Sequence, residues 1–150
     1  MKFIADCMLG KLAKWLRLLG FDTAYLRDAE DSELMRIALQ EDRILLTRDG
    51  PLAKHKMVRD RSVFIESEKT SEQLRQVIDT LGISVDREKL FTRCIVCNGP
   101  IEDVPKEWVK DKVPPYVYQT QDQFGYCRSC DKICWRGTHV DHIIAALDGA

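Results

Sequence analysis

The sequence predicts an α/β chain, in which a mostly parallel sheet covered by helices is followed by a small metal-stabilised module. Two observations carry this. Short apolar strands alternate with amphipathic helical segments four times before residue 84. From residue 91 onward, cysteine pairs, prolines and scattered aromatics replace that rhythm. The boundary is expected within residues 84–92, dividing the chain into 1–90 and 91–150.

Residues 2–6 (KFIAD) form the first expected strand. Over residues 8–19, Leu9, Leu12, Ala13, Leu16 and Leu19 share one face at helical spacing, Lys11 and Lys14 point away, and Gly20 is a C-terminal stop. FDTAYL (21–26) is the second strand. Asp31 or Ser32 can cap a helix over 33–41 whose Leu34, Ile37 and Ala38 turn inward. RILLT (43–47) is apolar throughout, as a strand covered on both faces would be. Gly50-Pro51 opens a short helix, because Pro suits a first turn. SVFIES (62–67) is the fourth strand, and Ser71 caps a helix ended by Gly82. The closing CWRGTHVDHIIAALDGA reads as strand, turn and short helix.

At 150 residues the chain can bury about 68–70% of its unfolded surface and needs no staple to fold. Its net charge of −1 gives no overall basic character. Charge is segregated, however, with six acids over 28–42 and six bases over 43–61. No apolar run is long enough to span a membrane, and Asp6 with three bases interrupts any secretion signal. The expectation is a cytoplasmic protein without membrane association, in which six cysteines stay reduced and point to metal.

Acids recur where strands end. Asp6 closes the first strand, Asp49 follows the third, and Asp28, Glu30, Asp31 and Glu33 follow the second. Right-handed crossovers bring these ends to one sheet edge. Carboxylates gathered there repel unless a cation sits between them, and Mg²⁺ or Mn²⁺ is the usual hard-cation solution. Such an ion activates water and stabilises a phosphoryl group under attack. Lys11, Lys14, Arg17, Arg48 and Lys54 are candidates to contact flanking phosphates. Each acid also has a plainer role: Asp6 and Asp49 precede helices, where Asp is a favoured N-cap, and Glu33 suits a helix dipole.

Cys94-x-x-Cys97 and Cys127-x-x-Cys130, separated by 29 residues, offer four thiolates to one tetrahedral Zn²⁺. A closed Cys₄ site has no open position, so its zinc is structural. Cys134 could compete as a ligand, and His139 and His142 are near; the simple pairing is complete without them. Cys7 reads as a small buried apolar residue. Residues 94–150 carry six bases against eight acids, a poor electrostatic grip on nucleic acid, although their aromatics could stack on bases.

FIADCMLGKLAKWLRLLGFDTAYL, DSELMRIALQEDRILLTRD, the two CxxC pairs and CWRGTH together resemble the Mut-seven C-terminal ribonuclease domain family over nearly the whole chain. The resemblance implies a PIN-like three-layer nuclease domain with a zinc ribbon appended. It also implies a metal-dependent ribonuclease, with Asp6 and Asp49 matching family acids and Asp31 completing the set. Asp28 and Glu33 are alternates for that third place, and Cys134 stands where the pattern has an aromatic. Two functions are carried forward. One is hydrolysis of single-stranded RNA at Mg²⁺ or Mn²⁺ held by Asp6, Asp31 and Asp49. The other is a non-catalytic adaptor whose ribbon binds RNA, a ribonucleoprotein or a ribosome-associated partner.

Overall fold

The computed structural model describes residues 1–148. Four parallel strands, β1 (Lys2–Ala5), β2 (Asp22–Tyr25), β3 (Ile44–Thr47) and β4 (Ser62–Phe64), lie in the order β2-β1-β3-β4. Their apolar residues divide between two cores. Phe3, Ala5, Leu46, Val63 and Ile65 pack beneath α1 (Gly10–Leu18) and α4 (Thr70–Leu81). Ile4 and Leu45 pack on the opposite face with α2 (Asp31–Gln40) and α3 (Gly50–Lys54). Alternation within strands that are apolar at every position therefore fills both sides of one sheet. Leu46 is fully buried at the centre, so Leu46→Ala is expected to cost about 2–5 kcal/mol, read as a lower urea midpoint at unchanged slope.

Local chemistry refines the expected boundaries. The first helix opens with a tight turn over Cys7–Leu9, because the Asp6 carboxylate accepts the Met8 N–H at 2.9 Å. Gly20 stops α1 at φ +95°, and a Cβ there would come within 2.6 Å of the Lys89 carbonyl oxygen. The expected caps at Asp31, Ser32 and Ser71 are not used. α2 begins at Asp31 behind Glu30, α4 at Thr70 behind Lys69, and neither junction residue caps through its side chain. Before α4, Ser67 Oγ instead accepts the Lys69 N–H at 3.0 Å and donates to the Glu72 carboxylate.

Residues 102–135 form a second, antiparallel sheet in the order β5 (Glu102–Val104), β6 (Phe124–Cys127), β7 (Lys132–Trp135). Val109, Val113, Val117 and Phe124 make its small core, with α5 (Pro115–Thr120) supplying Val117. The last helix, α6 (Thr138–Asp148), follows this ribbon in sequence but packs on the first core through Val140 and Ile143. Arg75 of α4 caps it, donating to the carbonyls of Ala146 at 3.0 Å and Leu147 at 2.7 Å.

Both edges of the parallel sheet are closed by amide side chains. At β4, Gln76 donates to the Phe64 carbonyl at 2.7 Å and accepts the Glu66 N–H at 3.0 Å. At β2, Asn98 Oδ1 accepts the Thr23 N–H at 3.0 Å, and Arg17 Nε donates to the Thr23 carbonyl at 2.8 Å. Edge groups that would otherwise template another strand are thus satisfied within the chain. No helix among the described residues is long and apolar enough to cross a membrane.

Candidate functional site

The four cysteines converge. Their sulfurs all lie within 4.8 Å of one another, with Cys94···Cys130 at 3.9 Å and Cys97···Cys127 at 3.5 Å. These separations are far beyond a disulfide bond, and they match the ~3.8 Å edge of a tetrahedron built on a Zn–S bond of ~2.3 Å. Donor set and spacing therefore fit a structural Zn²⁺. The backbone shapes the first knuckle: Cys94 N donates to the Gly99 carbonyl and Asn98 N to the Cys94 carbonyl, each at 2.8 Å. The Gly99 N–H, 3.4 Å from Cys97 Sγ, pulls that thiol down to about 7, so it is readily ionised for a metal. Cys134 stands outside the cluster, and burial pushes its thiol up to about 11. His142 is exposed and also stands apart from the cluster, and the His139 side chain lies outside the described residues. Cys7, expected to be buried, is exposed because the tight turn after Asp6 faces solvent.

The knuckle is tied to the parallel sheet. Asn98, at φ +70°, donates from Nδ2 to the Asp22 carboxylate at 2.7 Å while its Oδ1 accepts the Thr23 N–H. Asp22 also accepts Arg43 Nη1 at 2.7 Å, and that guanidinium continues to the Phe3 carbonyl at 3.0 Å. Burial pushes the Asp22 carboxyl up, but hydrogen bonds from Asn98 and Arg43 outweigh it and hold the carboxyl below its ordinary range. The sequence makes Arg17 a candidate phosphate contact. It is instead buried, with Nη1 donating to the carbonyls of Ile95 at 2.9 Å and Val96 at 3.2 Å, so it docks the knuckle. Asn98→Ala would strip partners from both Asp22 and the Thr23 N–H. A loss of about 1–3 kcal/mol is expected in urea unfolding of the zinc-loaded protein. An unchanged midpoint would mean that the knuckle does not brace β2.

At the carboxyl edge of the sheet, Asp6 and Asp49 are joined through Thr47. Asp6 Oδ2 accepts the Thr47 hydroxyl at 2.5 Å and the Arg48 N–H at 3.0 Å, and Thr47 Oγ1 accepts the Asp49 N–H at 2.9 Å. Asp49 Oδ1 caps α3 by accepting the Leu52 N–H at 3.1 Å, while its Oδ2 accepts no protein hydrogen bond among the described residues. β1 and β3 are the strands between which the winding reverses, since β2 lies outside β1 on one side and β4 outside β3 on the other. In open parallel sheets, ligands bind at this switch point.

The remaining sequence candidates surround this edge unevenly. Asp31, Asp28 and Glu33 are exposed, Asp31 and Glu33 in the first turn of α2 and Asp28 in the loop before it. Among the described residues, Asp6, Asp31 and Asp49 do not close to the spacing of the cysteine cluster. Mg²⁺ does not require that, because it keeps several waters and uses only one or two carboxylates. Arg48 turns toward the end of β4, donating to the Glu66 carbonyl at 3.3 Å, and its buried Nε has no partner. Lys11, Lys14 and Lys54 are exposed.

Thr47, Asp22, Asn98 and Arg43 were not singled out from sequence. A threonine closing the apolar run RILLT was one available signal. Another was an asparagine between Cys97 and Gly99, where the chain leaves the knuckle at positive φ.

Fold and site thus define a doubly wound α/β domain with acids at its switch point and a four-cysteine ribbon docked on its edge strand. The chain belongs to the Mut7-C RNAse domain family, whose model matches residues 1–147. It is also 33% identical over 101 residues to the exonuclease mut-7 homolog of Homo sapiens, a match covering 65% of this chain and 12% of that protein. The chain therefore spans only a small part of that relative's length. No solved structure matches it. The family model carries the description of an RNase domain.

Proposed function

We propose that this chain hydrolyses RNA phosphodiester bonds with Mg²⁺ or Mn²⁺ held at the carboxyl edge of the parallel sheet, within a nuclease unit of residues 1–90 onto which α6 packs. The carrying observation is the Asp6–Thr47–Asp49 constellation at the switch point. Asp6 and Asp49 are the ligands closest to hand, and Asp31 from the first turn of α2 completes the set. The ion supplies an activated water and charge stabilisation at the scissile phosphate. The chain's own residues orient the acids. The Thr47 hydroxyl and Arg48 N–H fix one Asp6 oxygen, the Met8 N–H fixes the other, and capping α3 aims Asp49. Lys11, Lys14 and Arg48 steady the phosphate backbone, whereas Arg17 holds the ribbon.

The adaptor reading loses ground on the ribbon face. The Lys112 ammonium sits 3.7 Å from the Trp108 ring centroid, and Trp108 meets Tyr126 edge-on at 5.2 Å. Trp108 thus has two contacts within the chain, although it and Tyr116 stay exposed. The deciding experiment is cleavage of end-labelled single-stranded RNA by zinc-loaded protein, with and without Mg²⁺ or Mn²⁺. Products that depend on the added ion are expected. Bound but intact RNA in every condition would favour the adaptor.

A further inference from the structure

A groove of about 720 Å³ runs from the start of α1 to the zinc knuckle. Trp15 and the knuckle residues Ile95 and Val96 give it apolar walls, and Tyr25 and the exposed Lys11 and Lys14 also line it. Its volume falls within the ~300–1,000 Å³ typical of pockets that take small organic groups. Among the described residues the lining holds no carboxylate, although the chain as a whole is slightly acidic. Both lysines are exposed, and the Lys11 ammonium lies 5.8 Å from the Trp15 ring centroid, a loose contact that a phosphate can displace.

The groove starts close in sequence to the first strand-end acid. Gly10 lines it four residues after Asp6, and Tyr25 donates its hydroxyl to the Cys7 carbonyl at 2.8 Å, between the two. Its far wall is fixed. Arg17 pins the Ile95 and Val96 carbonyls, so their exposed side chains stand in place on the knuckle rather than on a free loop.

We infer that this groove is a subsite for an unpaired nucleotide of the RNA strand. The base lies against Trp15 and the apolar tip of the knuckle, and Lys11 and Lys14 meet the adjoining phosphates. The inference rests on the ribonuclease reading for the identity of the strand. An aromatic wall with cationic side chains in the lining is the composition by which proteins hold single-stranded nucleic acid. A paired base within a duplex has no free face to offer, so the groove selects single strands. Its walls carry few groups able to read base edges, so the contact tolerates any base. The zinc site thereby gains a second role, since the metal-bound knuckle forms part of the substrate surface.

The test uses the zinc-loaded full chain without added Mg²⁺ or Mn²⁺, so that binding is measured apart from cleavage. A labelled oligoribonucleotide is compared with one carrying abasic positions, against wild type, Trp15→Leu and Val96→Asp. Trp15 packs partly on the core, whereas Val96 is exposed and its substitution spares the fold. Each variant is expected to bind the intact strand about tenfold more weakly. Wild type is expected to lose a similar factor on the abasic strand, and the variants to lose little more. Equal affinities across the three proteins, or an abasic strand bound as well as the intact one, would overturn the subsite. Restoring Mn²⁺ separates the two readings. Cleavage by wild type with unchanged binding by the variants removes the groove and keeps the ribonuclease. Groove-dependent binding without cleavage does the reverse.

Discussion

Asp49→Asn is expected to reduce metal-dependent RNA cleavage by roughly a hundredfold or more while leaving the thermal midpoint nearly unchanged. Changing residues that merely support metal ligands commonly costs 10–100-fold, so loss of a ligand carboxylate should cost at least as much. The fold tolerates this substitution because Asp49 has two separable jobs. Its Oδ1 caps α3 by accepting the Leu52 N–H, and an asparagine oxygen caps as well as an aspartate oxygen. Its Oδ2, open among the described protein partners, is the atom assigned to the ion. Asn replaces that oxygen with an N–H₂ donor, which cannot serve a cation. Asp6→Asn is a poorer probe. Asp6 is buried and accepts from Met8, Thr47 and Arg48, so an amide there sets a donor against a donor and adds a folding defect. Cleavage rates and melting curves measured together decide the matter. Wild-type rates from Asp49→Asn with the same metal would remove Asp49 from the reaction.

The strand-helix rhythm and the clustering of strand ends were legible because each rests on local pattern. Residues 2–5 and 44–47 are apolar enough to be covered on both faces, and right-handed crossovers then place Asp6 and Asp49 at one edge. The cysteine centre was legible because its ligands come in pairs with fixed spacing. Arg17 was not. It lies four residues after the buried Ala13 and three after the exposed Lys14, so periodicity leaves it on the border between faces. What buries it is the knuckle, 78 residues further along at Ile95. The same holds for α6. Its apolar stripe is visible in HVDHII, but not its choice of α4 over the adjacent ribbon. Asn98 and Asp22 are polar residues in exposed-looking segments, and only their meeting across the chain gives them a role.

Zinc removal should therefore be felt beyond the ribbon. Structural Zn²⁺ in small modules contributes apparent binding energies of about 10–16 kcal/mol, much of it folding energy. Here the four-cysteine knuckle that fits the ion presents Asn98 to Thr23 and Asp22, and the Ile95 and Val96 carbonyls to Arg17. Chelation, or Cys97→Ser, frees the thiols to move apart and relaxes the turn that holds Asn98 at positive φ. The Thr23 N–H then loses its acceptor, and the buried Arg17 guanidinium loses two of its carbonyl partners. Amide exchange at Thr23 is expected to accelerate by about 10–100-fold, the equivalent of one or two lost buried hydrogen bonds. Leu46, at the sheet centre and far from this edge in the pairing order, should keep most of its protection. The contrast between the two amides separates an edge undone by the knuckle from general unfolding. If both exchange at the global rate, zinc holds the entire fold together. If neither changes, the knuckle keeps its shape without metal, and the hydrogen bonds of Asn98 and Arg17 are sufficient to dock it.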